Sequence, residues 1–106
     1  MASFNLNNIY PKPTIYRGTA ATGQRLVIST PPIQFLGFSD TTNMVMFDVQ
    51  DADVICTLDN SIPSVTNGHR LYQGRAYTWS TAMAKAAKFV RLGATDGVIF
   101  ASELQM

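Results

Sequence analysis

Apolar residues come in short bursts along this chain, separated by turn residues at intervals of about 8–12 positions. From Arg25, "RLVIST" is a β-rich run that ends at Pro31-Pro32. "IQFLGF" sets Ile33, Phe35 and Gly37 against Gln34, Leu36 and Phe38. Neither set is polar throughout, so the run predicts a strand covered on both faces. In "NMVMFDVQ", Val45, Phe47 and Val49 form a uniformly apolar face, which assigns that face to the core. "DVICTL" follows an acidic turn at Asp51-Ala52-Asp53, and "HRLYQG" and "AYTW" flank Gly74, a turn or bulge position. "STAMAKAAK", Ser80 to Lys88, is the helical candidate, because Ala, Met and Lys favour helix and Ser80 can cap its start. "FVRLG" resumes a strand, Asp96-Gly97 signals a turn, and "VIFASEL" is the last strand.

Seven or eight short strands with Gly, Pro, Asn and Asp turns predict an all-β protein. The expected architecture is a single β-sandwich or jelly-roll-like domain over residues 25–106, with one short helix. Residues 1–24 read differently, as an extended N-terminal arm. Pro11 and Pro13 hold their neighbours extended, and Phe4, Leu6, Ile9, Tyr10, Ile15 and Tyr16 are apolar anchors at irregular spacing. A segment this rich in large apolar groups is expected to lie along a protein surface, either on its own domain or on a neighbouring subunit.

Composition narrows the partners. Only 14% of the 106 residues are charged while 46% are apolar, which suits a protein packed against copies of itself or another chain. Lys and Arg are scattered and the formal net charge is +1, so no basic stripe predicts nucleic-acid binding. The apolar runs fall far short of the roughly 20 residues that span a bilayer, so no membrane role is expected. "MASFNLNNIYPKP" lacks the basic and apolar regions of a secretory signal. Cys56, the single cysteine, excludes an internal disulfide, fits a reducing compartment, and reads as a buried small hydrophobe.

Candidate chemistry is thin. One His and one Cys cannot make a zinc site alone, and Asp51-x-Asp53 lacks the glycine and distal glutamate of a calcium hand. No nucleophile elbow, phosphate loop or dinucleotide fingerprint is present, so neither an enzyme nor a cofactor is expected. Tyr72, Tyr77 and Trp79 would form a sugar-stacking platform if exposed together, and ordinary core and rim if buried.

Between "DVICTL" and "HRLYQG" lies a polar loop. Asp59 and Asn60 suit turn geometry through side-chain bonds to backbone, Ser61 follows them, and Pro63 pre-sets φ. Asn67-Gly68 tolerates positive φ, and His69 flanks the turn. Each residue has a conformational role, so the loop predicts a stiff contact element and a poor catalytic lid.

"TLDNSIPSVTNGHRLYQG", with the later "AKFVRLGATDGVIFASEL", resembles small auxiliary virion proteins of tailed bacteriophages, of the capsid decoration (cement) type. Their pattern is an Asp-x-Ser-x-Pro turn, a Gly-His-x-Leu-x-x-Gly segment, a Lys-Phe-Ile/Val-Arg strand and a final strand. Asp59, Ser61, Pro63, Gly68, His69, Leu71, Gly74, Lys88, Phe89, Val90 and Arg91 match it, over roughly the C-terminal half. The resemblance implies a structural virion protein made in the host bacterial cytoplasm. Its partners would be copies of itself, with a trimer permitted, and a major capsid or other virion protein, with no small-molecule substrate. Another virion position, such as a head-fibre base, head–tail or tail protein, is the alternative. "TLDNSIP" is also similar to the Thr-x-Asp-Gly-Ser-x-Pro turn of fibronectin-like modules attached to carbohydrate enzymes, with Asn60 in place of Gly. That likeness keeps a carbohydrate-binding β-sandwich module open as a reading.

Overall fold

The computed structural model describes residues 14–15 and 23–105. Among the described residues two antiparallel sheets face each other across one core, with a single short helix, so the protein is all-β as its patterning predicts. The larger sheet holds β1 (Thr14–Ile15), β2 (Gly23–Ile28), β3 (Met44–Gln50), β6 (Ala76–Ser80) and β8 (Gly97–Gln105). Strand β8 is its axis. It pairs with β3 on one side and with β2 and the two-residue β1 on the other, and β6 lies beyond β3. The smaller sheet runs β5 (His69–Leu71), β4 (Val54–Thr57), β7 (Lys88–Arg91).

Strict alternation decides which side chains face inward. Leu26 and Ile28 on β2, Val45, Phe47 and Val49 on β3, and Ile99 and Ala101 on β8 meet Val54, Cys56, Leu71 and Phe89 of the smaller sheet. Phe47 and Phe89 are fully buried, and each such side chain contributes about 1.5–3 kcal/mol through the apolar surface it removes from water. Phe35 lies edge-on to both rings, at 5.6 and 5.2 Å between centroids, which ties the two sheets together.

Strand β2 begins at Gly23, two residues before the predicted start, because Gly23 and Gln24 continue the ladder on Ser102 and Ala101. The predicted strand at "IQFLGF" does not form. Only Ile33 makes a bridge, to Phe89, and residues 34–40 cross between the sheets without a ladder. Pro31 and Pro32 have no N–H to offer, and the backbone of Leu36 is met instead by a side chain. Buried Gln24 accepts from Leu36 N at 2.8 Å and donates from Nε2 to Leu36 O at 3.1 Å. This amide does what a neighbouring strand would do. Phe35 and Phe38 pack on the core, while Leu36 stays exposed, so the run is not covered on both sides.

Glu103 anchors the same crossing further along. It is 1% exposed, and Oε1 accepts from Ser39 N at 2.8 Å and Thr42 Oγ1 at 2.6 Å. Oε2 has no partner among the described residues.

The helix, α1 (Thr81–Ala86), links β6 to β7 and is shorter than predicted. Ser80 caps it as expected, accepting from Met83 N at 3.2 Å. Ala87 is already extended and Lys88 opens β7, so the last residues of the helical pattern are drawn into the smaller sheet.

Candidate functional site

The loop of residues 58–68 leaves β4 and returns as β5 after folding over the outer face of the smaller sheet. Ile55 and Thr57, which point outward on β4, are buried beneath it. Thr57 Oγ1 donates to Ser61 O at 2.6 Å, and Lys88 Nζ, reaching from β7, donates to Asn60 O at 3.1 Å. Half-buried Leu58 packs on the core and Pro63 is buried.

Each bend of the loop has its own brace. Asp59 Oδ1 accepts from both the hydroxyl and the backbone N–H of Ser61. Those two bonds, the hydroxyl's first, hold the Asp59 carboxyl below its ordinary value of 3.8, with a smaller contribution from His69. Asn60 adopts the left-handed conformation with φ 69°. At the tip, Ser64 N donates to Asn67 O at 2.9 Å and Asn67 N to Ser64 O at 3.0 Å, closing a tight turn around Val65 and Thr66. Asn67 Nδ2 donates to Ser61 Oγ at 3.2 Å and to Ile62 O at 3.0 Å, joining the two limbs.

Gly68 alone of the Asn67-Gly68 pair takes positive φ, at 136°. A Cβ there would stand 2.5 Å from Cys56 O, so only glycine allows the loop to re-enter the sheet so close to β4. Asn67 serves through its amide, not through left-handed backbone.

The consequence is an apolar tip held outward. Val65 is 70% exposed and Ile62 58% exposed. Neither stood out in the sequence as a functional residue, since both sit singly among Ser, Thr and Asn. The signal available was two β-branched apolar residues inside a loop whose neighbours all carry turn roles. Leu71 and Phe89 of the phage-like pattern are buried core, and His69 is exposed at the start of β5.

Elsewhere, polar chemistry serves shape. Asp53 accepts from Arg70 Nε at 2.9 Å and from Gln73 N at 2.6 Å. The Gln73 amide, then the Arg70 guanidinium, hold its carboxyl below the usual range. A recess of about 350 Å³ beside Asp53 and one of about 220 Å³ at the root of the loop each include a carboxylate already engaged in this way. Burial pushes the Cys56 thiol up to about 11, which leaves it protonated and unreactive.

The aromatic platform does not assemble. Tyr77 and Trp79 point inward from β6, half-buried, and pack on Phe47 at 5.4 and 4.8 Å between centroids. Tyr72 is exposed on its own, with Arg70 and Arg75 each 5.2 Å from its ring centre, and its N–H donates to Tyr77 Oη at 2.9 Å.

Of the predicted arm contacts, Phe4, Leu6, Ile9, Tyr10 and Tyr16 lie outside the described residues. Ile15 is in β1, whose backbone pairs with Leu104 at the end of β8. Among the described residues no helix is long and apolar enough to cross a membrane, which says nothing of strands. Comparison with protein-family models, with curated proteins and with solved structures found no match.

Proposed function

We propose that this chain is a non-enzymatic structural protein of a tailed-bacteriophage particle. In this reading it is a capsid decoration (cement) protein that stabilises the shell through protein–protein contacts. The reading is carried by one observation: a loop braced at every bend holds Ile62 and Val65 out in water. Exposed aliphatic side chains on a rigid support lose little freedom when they enter a pocket on another protein, so more of their burial appears as affinity. Asp59 and the polar rim around them suit the edge of a protein contact. Many copies on a symmetric lattice then turn a modest single-site affinity into lasting attachment. The sequence pattern shared with small virion proteins supports the same reading, because Asp59, Ser61, Pro63 and Gly68 are the residues that set the loop's shape.

The test is to mix the purified full chain with empty shells assembled from the major capsid protein of the genome that encodes it, sediment the shells, and image them. Cosedimentation with regular density over the shell is expected. Density confined to the head–tail junction or tail assigns the alternative virion position. Absence from every particle component rejects the reading.

A further inference from the structure

The outward side chains of the larger sheet stand in cross-strand rows. Arg25, Phe100, Asp48 and Ala76 form one row across β2, β8, β3 and β6. Gly23, Ser102, Met46 and Thr78 form the next, and Val27, Val98 and Gln50 the row on the other side, where Val98 itself is buried. Phe100 is 45% exposed at the centre, with Met46 at 40% and Val27 at 47% around it. Arg25 and Asp48 therefore flank the ring with opposite charges at equal strand separation. Neither forms an ion pair among the described residues, and Asp48 accepts a bond from the neutral amide of Gln50 at 3.1 Å.

The ring is not centred. Its Cζ lies 3.5 Å from where a Cβ on Gly23 would stand, so it leans over β2. On its other side it leaves a crevice of about 250 Å³, lined by Met46, Phe47, Asp48, Ala76, Phe100 and Ser102.

We propose that this face binds the same face of a second copy, about a two-fold axis that lies between the two sheets and runs parallel to β8. Such an axis places β2 of each copy over β3 of the other. Arg25 then faces the second copy's Asp48, and Asp48 its Arg25. Each Phe100, leaning over its own β2, comes down over the other copy's β3, where the crevice beside Met46 receives it. Gly23, without a side chain, gives its own Phe100 room to lean this way, and the ring then meets the second copy's Met46. Aligned sheets about 10 Å apart put the charged pairs within reach of an arginine side chain. An in-plane axis along the row would instead set Arg25 against Arg25 and Asp48 against Asp48. Charge therefore selects the first arrangement, and the contact is isologous.

Three overlapping strands about 4.8 Å apart and three rows about 6.6 Å apart cover roughly 300 Å² per copy. Doubled over both copies this is below the roughly 1,200 Å² of stable specific interfaces, so the dimer is a transient one, sparse in dilute solution and favoured where copies are concentrated. This inference does not depend on the virion reading, since it needs no shell.

Sedimentation equilibrium of the full chain over a wide concentration range, with charge variants, tests it. A reversible dimer is expected. Arg25→Asp and Asp48→Arg should each weaken it by about tenfold or more, because each sets like charges together twice. An equimolar mixture of the two variants should regain dimer, since every facing pair is then of opposite sign. Phe100→Ser, on the outer face, should abolish the dimer while leaving the circular dichroism of the fold unchanged. A chain monomeric at all concentrations overturns the proposal, and so does a mixture no more associated than its components. Association indifferent to both charge variants overturns it equally. If Phe100→Ser does not fold, the mixing experiment decides alone.

Discussion

Gly68 shows how much one residue can determine. Its φ is 136°, and a methyl group on its Cα would sit 2.5 Å from Cys56 O. Alanine has no relaxed solution there, since the obstacle is backbone. Gly68→Ala is expected to lower unfolding stability by about 3 kcal/mol or more, read as a shifted urea midpoint with an unchanged slope. Cys56 behaves in the opposite way, as a group defined by what it cannot do. Its pKa rises from 9.0 to about 11 on burial. Between those values the unfolded chain releases a proton that the folded chain keeps. Stability is therefore full below pH 9 and falls as pH rises towards 11, by roughly 2–3 kcal/mol across the window. Denaturant titrations at pH 8 and pH 10.5, set beside those of Cys56→Ala, measure this directly; the Cys56→Ala variant should lack that part of the alkaline loss.

Among the elements, the crossing of residues 34–40 is where the sequence misled. Alternating apolar residues predict a strand, but a strand also needs a neighbour with free backbone groups, and the pattern of one run carries no information about its neighbour. Gln24 takes that place from within β2. Gln24→Ala should leave Leu36 N without its acceptor, cost about 1–3 kcal/mol, and speed hydrogen exchange at the Leu36 amide beyond that at Phe89. Where a single run contained its own answer, it was legible. Val45, Phe47 and Val49 face the core as their spacing requires, and Ser80 caps the helix as its side chain allows. The helix end was not legible, because Ala-rich sequence is indifferent to the pull of β7. The loop's turns were readable from Asp59 and Gly68. Its exposed apolar tip was not, because whether Ile62 and Val65 face water depends on which limb folds onto β4. Tyr77 and Trp79 were open to either reading, and their inward direction follows from the register of β6 on β3.

At the scale of the whole molecule, two surfaces differ in kind. The smaller sheet is closed over by a braced loop whose apolar tip stands free, and the larger sheet shows a broad face with a central aromatic ring between opposite charges. We assign the first to attachment and the second to self-association. Both surfaces follow from a chain with few charges and a core built by alternation, in which polar side chains such as Gln24, Asp53 and Asp59 are used to fix backbone. Attachment is the central claim. The most direct measurement compares shell occupancy by the native chain with that by the double variant Ile62→Ser/Val65→Ser. These two side chains are largely exposed, so the variant should unfold within about 0.5 kcal/mol of the native chain. It should also load onto shells at least about tenfold more weakly. A stable variant that fills the shell as completely as the native protein would contradict the account.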